Sequence, residues 1–432
     1  MFTPLIDRYE RFGVHLGLER IHRLLELLDQ PHLQVPIIHV AGTNGKGSVC
    51  AYVSSILTAA GYRVGRYTSP HLVDWTERIC LNGQPIEAAV LTRLLLELEA
   101  VLAPTQLVPT QFEVLTALAW QYFAQQQVDV AVIEVGLGGR LDATNVCDHP
   151  LVSVITSLSR DHWQRLGPTL ADIAGEKAGV CKPHCPVVVG PLPPAAVTVV
   201  QTKIEQLQCP AHWPQPAQWV DAPAVAPAVP DTLTLPWAAA EGIIFPLSLR
   251  GDIQLTNAAL AIAVLQQLRS QDWTITDEAI IRGMASTRWP GRLQWVTWQQ
   301  QPLLLDGAHN AAAALALRHY INGLQAPTVH WLMGMLSTKD HSDILKILLR
   351  PGDIVSLMPV PDHSSADNHV LVTLATDICP HLARCQSFDD LELALQNAFM
   401  PGDLDTDHPP VRVLCGSLYL VGQYLKTYPP TT

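Results

Sequence analysis

The stretch VAGTNGKGS (residues 40–48) decides the fold around it. It follows the apolar run VPIIHVA (35–41) and leads into the helical pattern SVCAYVSSILTAAG (48–61), which ends at a glycine as many helices do. A strand, a glycine-rich turn and a helix in that order form the repeating unit of a parallel α/β sheet. The turn is therefore the first candidate for a binding site.

The turn has the composition of a phosphate-binding loop. In such a loop, backbone N–H groups and the positive end of the following helix surround the phosphates. Gly42, Gly45 and Gly47 permit the tight path, Lys46 adds charge, and Ser48 offers a hydroxyl for Mg²⁺. A plain glycine-rich turn with a surface lysine is disfavoured, because the motif lies between an apolar strand and an amphipathic helix. Gly47 separates the lysine from the hydroxyl, whereas the usual form leaves no residue between them.

The rest of the first half continues the same pattern. VDVAVIEVG (128–136) and LVSVITSL (151–158) are apolar runs of strand length, and QFEVLTALAWQYFAQQQ (111–127) has helical periodicity. Continuous β-branched runs that alternate with helices indicate a parallel sheet covered on both faces. We expect a P-loop-type mononucleotide-binding parallel sheet domain.

The second half adds a smaller open α/β, Rossmann-like domain. Residues 191–231 are rich in Pro and Ala, and interspersed Trp and Val favour a strand-rich peripheral section over a long linker. A helix is predicted over 256–270, and the Pro-Gly pair at 290–291 marks the boundary between domains 1–289 and 290–432. Beyond it, strands are predicted in PLLLDGAHN (302–310), TVHWLMGM (328–335), DIVSLMPV (353–360) and VRVLCGS (411–417).

Composition narrows the class of protein. The 432 residues are 48% hydrophobic and 15% charged, which predicts large cores. A net charge of −12 disfavours nucleic acid and anionic membranes as partners. No stretch reaches the roughly 18 apolar residues of a membrane helix. The nine scattered cysteines fit reduced thiols, and CKPHC (181–185) lacks the second ligand pair of a zinc site. We expect a soluble, cytoplasmic protein.

The loop GTNGKGS resembles that of the folylpolyglutamate synthase and dihydrofolate synthase family, a branch of the Mur ligase superfamily. Cell-wall Mur ligases tend to have Thr where this chain has Gly47. The resemblance recurs in order along almost the whole chain, in TSPHL (68–72), TQFEVLTALA (110–119), EVGLGGRLDATN (134–145), DH (161–162), EKAG (176–179), PGRLQ (290–294), DGAHN (306–310) and CGS (415–417).

The resemblance implies a magnesium site, with two ions, beside the loop. Glu134 follows an apolar strand, and a carboxylate at the carboxyl end of a parallel strand lies in the crevice where such sheets bind ligands. In the family this glutamate binds Mg²⁺, as do the residues matching Ser69 and His162, and Ser48 is the loop hydroxyl. The alternative for His162 is a surface or hydrogen-bonded core histidine.

Lys177 would ordinarily be interpreted as a solvated helix lysine. The resemblance implies instead that it is carbamylated, which turns a cation into a carboxylate that supports the second metal ion. Lys46 and Lys177 are the expected catalytic residues of the first domain, and Asp306 and His309 those of the second.

Two segments are expected to contact the pterin-bearing substrate. The aromatic ring of Phe112 is suited either to stacking on a flat ring or to core packing, and the sequence does not separate the two. GLGGR (136–140) lacks the spacing of a dinucleotide fingerprint. The substrate residues that the resemblance implies are Thr110, Gln111, Phe112, Glu113, Leu141, Asp142 and Ala143.

The nucleotide is expected to be ATP. The resemblance places Asn257 against its base or ribose, Arg292 near its phosphates, Asp306 near the nucleotide and His309 close to the reaction centre. The loop residues expected to bind it are Gly42, Thr43, Asn44, Gly45, Lys46, Gly47 and Ser48.

The implied reaction is ATP-dependent amide formation. A carboxylate is phosphorylated to an acyl phosphate, and the amine of L-glutamate then attacks it. The resemblance names the carboxylates as dihydropteroate, the γ-carboxyl of a reduced folate, or both, and it implies a monomer. The alternatives are a single-activity folylpolyglutamate synthase or another Mur-type ligase.

Other classes fit less well. A GTPase switch needs an N-K-x-D motif, which is missing, and a binding module without turnover does not account for Lys46, Glu134, His162 and Lys177 together. Three positions depart from the family pattern. Trp163 stands where Thr is usual, Ile253 where His is common, and Ala311 where Pro often follows.

Overall fold

The computed structural model describes residues 3–6, 8–9, 17–223, 235–400 and 409–429. The chain divides into two compact units. Unit 1 comprises Met1–Ser248 and Gln254–Arg288, and unit 2 comprises Leu249–Ile253 and Trp289–Thr432. The main division therefore falls next to the Pro-Gly pair at 290–291.

Unit 1 is built from alternating strands and helices. Its strands are β1 Ile37–Ala41, β2 Val64–Tyr67, β3 Ile79–Leu81, β4 Gln84–Pro85, β5 Val130–Glu134, β6 Val152–Ile155, β7 Val187–Val189, β8 Ala211–His212, β9 Gln218–Val220, β10 Trp237–Ala240 and β11 Ile243–Pro246. Its helices are α1 Thr3–Ile6, α2 Glu19–Leu27, α3 Lys46–Ala59, α4 Ala88–Leu102, α5 Gln111–Gln125, α6 Trp163–Leu166, α7 Leu170–Ala178, α8 Pro194–Gln206, α9 Ile253–Arg269 and α10 Asp277–Ser286, with short 3₁₀ helices at Pro31–Gln34 and Trp75–Arg78.

The main sheet of unit 1 has the order β4-β3-β2-β5-β1-β6-β7-β8. Neighbouring strands from β2 to β8 are parallel, and β3 and β4 add an antiparallel edge. The central strand β1 lies between β5 and β6, with Val40 opposite Glu134. The loops that follow β1, β5 and β6 therefore leave the same edge of the sheet side by side.

Helices cover both faces of this sheet, as predicted. Gly65 and Tyr67 of β2 face α5, because a Cβ at Gly65 would meet the Phe123 ring and the Tyr67 hydroxyl lies 3.1 Å from Thr116 Oγ1. Alternation along the strand directs Arg66 to the other face. Helix α3 packs against β1, β2 and β5.

The predicted strand-loop-helix unit is confirmed. β1 is buried throughout, and α3 begins at Lys46, directly after the loop. The helix ends before Gly61, whose φ of +93° is left-handed and whose N–H donates to Thr58 O at 3.0 Å. The expected glycine stop is therefore present.

The expectation of a strand-rich section over 191–231 is partly wrong. Pro194 is the first residue of the helix α8, where proline is tolerated because the first N–H of a helix needs no partner within it. In the described part of this section the short strands β8 and β9 follow, and β9, β10 and β11 form a small antiparallel sheet. Residues 224–234 lie outside the described part of the chain.

Unit 2 contains a second open α/β sheet with the order β12-β13-β17-β14-β15-β16. The hairpin of β12 and β13 is antiparallel and the other neighbours are parallel. Its strands are β12 Gln294–Trp298, β13 Gln301–Leu305, β14 Val329–Met333, β15 Ile354–Leu357, β16 Arg384–Ser387 and β17 Val411–Cys415. Its helices are α11 Ala311–Gly323, α12 His341–Leu348, α13 Asn368–Ile378, α14 Leu391–Ala398 and α15 Leu418–Thr427.

The four strands predicted in the second half, now β13, β14, β15 and β17, are all present. β12 and β16 were not predicted. Both are edge strands with mostly half-buried residues, so neither has a long apolar run. Among the described residues, no helix combines the length and the apolar character needed to cross a membrane.

Candidate active site

The loop after β1 has a path that only glycine permits at two positions. Gly42 and Gly45 have φ values of +145° and +87°. A Cβ at Gly42 would overlap the Thr156 side chain, and one at Gly45 would overlap the amide oxygen of Asn257. The conformation and the close neighbours therefore both require glycine.

The segment that follows β6 holds this loop in place. Ser157 O accepts from the N–H of Thr43 at 2.7 Å, and Ser157 Oγ contacts both N and O of Asn44 at 3.1 and 3.0 Å. Thr156 Oγ1 donates to Asn44 O at 2.7 Å, and Ser159 N–H donates to Thr43 Oγ1 at 3.1 Å. The sequence analysis missed these residues. Their signal was a polar pair directly after the apolar run of β6.

The loop leads into a helix start that suits an anion. Gly45 is the N-cap of α3, and within the described chain no side chain caps this end. The first helical bond runs from Val49 N–H to Gly45 O at 2.9 Å, so the N–H groups of the preceding turn point outward along the axis. These N–H groups and the helix dipole favour bound phosphate. Ser48 lies in this first turn and is buried.

Two lysines converge on the loop. Lys46 Nζ donates to the carbonyls of Gly42 and Thr43 at 3.2 Å each. Lys177 Nζ donates to Gly42 O at 2.7 Å. Lys177 is only 6% exposed, so the ordinary expectation of a solvated helix lysine is wrong. Burial, followed by the charge of Lys46, lowers the pKa of Lys177 to about 7.

A buried carboxylate lies beside the lysines. Glu134, the last residue of β5, is 5% exposed, and its Oε1 lies 3.9 Å from Lys46 Nζ. Its Oε2 accepts from the N–H of Ser69 at 3.2 Å. The structure thus brings together the loop lysine, the strand-end carboxylate and the TSPH segment. His162 precedes α6, its ring is half-exposed, and its Nε2 lies 3.9 Å from Asp161 Oδ1.

The donors present fit Mg²⁺ better than a transition metal. Glu134, Ser48 and Ser69 offer hard oxygen ligands, which Mg²⁺ prefers. Among the described residues, no group of three or more His, Cys, Asp or Glu is arranged to hold a metal ion. In many nucleotide sites Mg²⁺ is bound by one or two carboxylates together with phosphates and water.

Asn257 lies beside Gly45 of the loop. It is on α9, is 4% exposed, and its Nδ2 donates to Gln254 Oε1 at 3.0 Å. Its Oδ1 faces Gly45. The Gln254 contact fixes the orientation of the amide.

The TQFE segment (110–113) lies at the start of α5, and several of its side chains already form hydrogen bonds within the protein. Thr110 and Glu113 form a capping box, in which Thr110 N–H donates to Glu113 Oε2 at 2.7 Å. Arg20 Nε lies 3.2 Å from both Glu113 oxygens, and Gln111 Nε2 donates to Ile6 O at 3.3 Å. The side chains of Gln111 and Glu113 therefore have structural roles.

Phe112 connects this segment to the glycine-rich loop after β5. Its ring lies 6.1 Å from that of Tyr67 and packs against the core cluster of unit 1. A Cβ at Gly136 would overlap the Phe112 ring, so the loop backbone approaches the ring directly. Phe112 remains half-buried, and core packing accounts for part of its surface.

The loop after Gly136 is shaped by Asp142. Its Oδ2 accepts from Leu137 N–H at 2.7 Å and its Oδ1 from the N–H and hydroxyl of Thr144 at 3.0 and 2.6 Å. Burial raises the pKa of Asp142, while these hydrogen bonds oppose the rise. Ala143 is buried and Leu141 is half-buried. The Asp142 carboxylate thus serves the loop itself.

The three residues expected in unit 2 lie together at the end of β13. Asp306 Oδ2 accepts from Leu293 N–H and its Oδ1 from Ala308 N–H, both at 2.9 Å. Burial raises the pKa of Asp306, and the charge of Arg292 opposes the rise. Arg292 Nη1 and His309 Nδ1 contact the carbonyls of Gly291 and Gly307 at 3.0 and 2.8 Å respectively.

The departures from the family pattern lie close to the site elements. Trp163 is the first residue of α6, with the Arg160 guanidinium 4.7 Å from its ring centre. Ile253 opens α9 and is 42% exposed. Ala311 is the first residue of α11, a position that also accepts proline.

The fold and these contacts define an α/β nucleotide-binding protein with a P-loop in unit 1. Two family models match the chain. The Mur ligase middle domain matches residues 40–189, and the C-terminal domain of dihydrofolate synthetase matches residues 292–427.

Full-length relatives agree with both matches. A probable dihydrofolate synthetase of Schizosaccharomyces pombe is 34% identical over 96% of this chain and 99% of its own length. The dihydrofolate synthase/folylpolyglutamate synthase of Escherichia coli is 34% identical over 96% of this chain and 91% of its own. The chain belongs to the dihydrofolate synthase/folylpolyglutamate synthase family.

Solved structures show the same architecture. Folylpolyglutamate synthase of Mycobacterium tuberculosis, complexed with ADP and AMPPCP, has a TM-score of 0.85 and 29% identity, with 99% of this chain and 98% of that chain covered. E. coli FolC in complex with DHPP and ADP has a TM-score of 0.81 and 30% identity, with 98% and 96% covered. Members of the family are ATP-dependent ligases, and this chain is one of them.

Proposed function

We propose that this ligase joins the amine of L-glutamate to the carboxyl of dihydropteroate, to the γ-carboxyl of a reduced folate, or to both. The observation that carries the proposal is the convergence of Lys46 and Lys177 on the carbonyl of Gly42, in the loop that leads into α3, with Glu134 3.9 Å from Lys46. This is a site for transfer of a phosphoryl group from ATP. Another Mur-type ligase would use the same transfer on a different acceptor.

The first step is proposed to form an acyl phosphate. A carboxylate oxygen of the acceptor attacks the terminal phosphorus of ATP, and the bond from that phosphorus to the ADP oxygen breaks. The N–H groups at the start of α3 and the Lys46 ammonium stabilise the charge on the phosphate oxygens. The buried walls around Glu134 and Lys177 exclude water, which would otherwise hydrolyse the product.

The second step forms the amide. The neutral amine of glutamate attacks the acyl carbon, the bond from that carbon to the phosphate oxygen breaks, and the nitrogen loses a proton. We propose that His309 and Asp306 contribute to this reaction centre and that Arg292 and Asp306 contact the nucleotide. The Asp306 carboxylate accepts two backbone N–H groups, which fixes the turn that carries His309.

We propose that Mg²⁺ accompanies ATP and that Glu134, Ser48, Ser69 and His162 hold it.

 The carboxylate and hydroxyl oxygens of this set are ligands that Mg²⁺ prefers, and two ions fit the expected pattern. When bound, Mg²⁺ neutralises charge on the phosphates and orients them for the transfer. Glu134 is the last residue of β5, and Ser69 lies beside it because the Ser69 N–H donates to the Glu134 carboxylate.

We propose that Lys177 is carbamylated in the active protein. Its lowered pKa of about 7 leaves much of the amine neutral near pH 7, and a neutral amine is the form that reacts with CO₂. The nitrogen attacks the carbon of CO₂ and loses a proton, which leaves a carbamate anion that supports a second metal ion. Intact-mass analysis under CO₂ tests this step, because the adduct has the mass of one CO₂.

The acceptor is proposed to lie between the two segments that Phe112 connects. The Phe112 ring is the proposed contact for the flat pterin ring, and Thr110 lies beside it at the start of α5. Gln111 and Glu113 would act by fixing this turn, because their side chains already bond within unit 1. The opposing wall would be formed by Leu141, Asp142 and Ala143. The Asp142 carboxylate would stabilise this loop through its hydrogen bond from the Leu137 N–H.

A paired assay tests the proposal. The purified chain is given ATP, Mg²⁺ and L-glutamate with dihydropteroate or with tetrahydrofolate, and phosphate release is measured. Release that requires both glutamate and one of these acceptors supports the proposal, and the acceptor that works identifies a dual or a single activity. No release with either acceptor rejects it. We further propose a monomer in the cytoplasm, which size-exclusion chromatography and cell fractionation test.

A further inference from the structure

A cavity in unit 1 is lined by residues that have no assigned role in the proposed reaction. It lies between α7 and α8 and has a volume of about 470 Å³. Helix α7 contributes Gly175 and Ala178, and α8 contributes Thr198 and Lys203. Such a volume falls in the range of sites for small organic molecules, roughly 300–1,000 Å³.

The walls of this cavity are positively charged. Arg140, Lys182 and Lys203 line it, and none of the described residues that line it is an Asp or a Glu. The whole chain has 39 acidic and 27 basic side chains, so this local excess opposes the overall balance. Arg140 is paired with Glu176 at 2.8 Å and Lys182 with Asp148 at 3.8 Å, whereas Lys203 pairs with no carboxylate in the described part of the chain.

The distribution of the cationic side chains in the cavity favours an extended anion over a compact phosphate. The three cations come from different segments, and Ala178, Val199 and Leu207 provide an apolar floor between them. Compact phosphates are commonly held by helix N-termini or nests of N–H groups. Here α7 presents its C-terminal end, which does not offer the free N–H groups that hold a compact phosphate. Aliphatic chains with separated carboxylates match both the floor and the cations.

The cavity is connected to the proposed acceptor loop. Arg140 directly precedes Leu141, and its N–H donates to Glu176 O of α7 at 2.7 Å. Asn145 Nδ2 bridges the carbonyls of Arg140 and Gly179 at 3.0 and 3.1 Å. The helix that borders the cavity also carries Lys177, which contacts the phosphate loop.

We propose that this cavity binds an oligo-γ-glutamyl chain, and so holds the tail of a polyglutamylated acceptor or product. The choice of this oligocarboxylate rests on the proposed function, because that reaction makes γ-glutamyl chains. The methylene groups lie on the apolar floor, and the α-carboxylates pair with Arg140, Lys182 and Lys203.

Isothermal titration of the full chain with tri-γ-L-glutamate, without nucleotide, tests the proposal. Lys203→Ala is expected to weaken binding about tenfold, and Lys203→Arg to retain it, because each removed ion pair contributes modestly. Lys182→Ala combined with Lys203→Ala is expected to abolish measurable binding. Lys426→Ala removes an exposed lysine of unit 2 and is expected to leave binding unchanged.

Other outcomes overturn the proposal. Absence of binding to the unaltered chain rejects it, as does binding that both cavity variants retain. Loss of binding in Lys46→Ala alone would place the peptide at the phosphate loop instead. Competition by inorganic triphosphate at equal concentration would assign the cavity to phosphates. Phosphate release with the monoglutamate acceptor is measured separately, so a failed ligase assay and a failed titration are distinguishable. Thermal unfolding of each variant shows that it is folded.

Discussion

Lys46 and Lys177 both donate to the carbonyl of Gly42, yet their surroundings give them different tasks. The Lys46 side chain is 16% exposed at the start of α3, where we propose that it contacts the phosphates of ATP. Lys177 is buried on α7, and its charge depends on pH near neutrality. The two lysines are therefore expected to respond differently to substitution.

Lys46→Ala is expected to lower kcat by at least about a thousandfold, because the charge on the transferring phosphoryl group loses its nearest protein cation. The fold is expected to be retained, since the partners of Lys46 among the described residues are two loop carbonyls and Glu134 at 3.9 Å. Phosphate release and circular dichroism measure the two effects. Lys426→Ala serves as the control. Near-normal kcat in Lys46→Ala would contradict the assignment.

The lowered pKa of Lys177 predicts a pH-dependent stability. Its ordinary pKa is 10.5 and its folded value is about 7, so the unfolded chain binds more protons between these values. Stability therefore rises with pH across this window, and the unfavourable charged form is fully present below about pH 7. Lys177→Met is expected to gain roughly a few kcal/mol relative to the unaltered chain at pH 6.5, and little near pH 10.

Urea unfolding in CO₂-free buffer at several pH values measures this difference, and the exclusion of CO₂ prevents carbamylation. Other titrating groups cancel because each comparison is made at one pH. A difference between the two proteins that stays constant with pH would show that Lys177 is not titrating in this window.

Ser157 is predicted to act as a positioning residue for the phosphate loop. Its hydroxyl contacts both backbone atoms of Asn44, at 3.1 and 3.0 Å. Ser157→Ala is expected to raise the KM for ATP roughly five- to thirtyfold, the equivalent of one or two hydrogen bonds, with a smaller effect on kcat. Ser270→Ala, on an exposed turn, is the control. An unchanged KM for ATP would remove Ser157 from this role.

Helices and strands differ in how well the sequence specified them. β1, the loop and α3 were predictable, because an apolar run, glycines and helical periodicity adjoin one another. α8 was not, because its prolines stand at the first turn and suggested an irregular section. The bonds from Thr156 and Ser157 to the loop depend on β1 lying next to β6, and strand order is not written in local sequence.

The packing of α10 on α3 depends on Gly283. A Cβ there would overlap the backbone of Ile56, so Gly283→Ala must push the two helices apart. We expect a loss of about 1–3 kcal/mol in the free energy of unfolding. Gly175→Ala, in a helix with nothing near its Cβ, is expected to be neutral or to stabilise by up to about 1 kcal/mol. Chemical denaturation compares them, and equal effects would contradict this packing argument.

The chain as a whole is acidic, with a net charge of −12, yet its proposed nucleotide site presents lysines and a helix N-terminus. Family membership and the two α/β units followed from motifs spread in order along the sequence. The roles of the Gln111, Glu113 and Asp142 side chains could not be predicted from these motifs, because their hydrogen-bond partners are set by the folded loops. A test of the nucleotide site must therefore use the intact chain.

Binding of AMPPCP with Mg²⁺ is expected to raise the midpoint of thermal unfolding. A ligand at one hundred times its Kd stabilises the folded chain by about 2.7 kcal/mol, which for a chain of this size corresponds to a rise of several degrees. Removal of Mg²⁺ with a chelator is expected to reduce the shift, and Glu134→Gln is expected to remove most of the Mg²⁺-dependent part. Glu26→Gln changes an exposed carboxylate on α2 and serves as the control. A shift that is the same with and without Mg²⁺, or the same in Glu134→Gln, would show that Glu134 does not hold the metal ion.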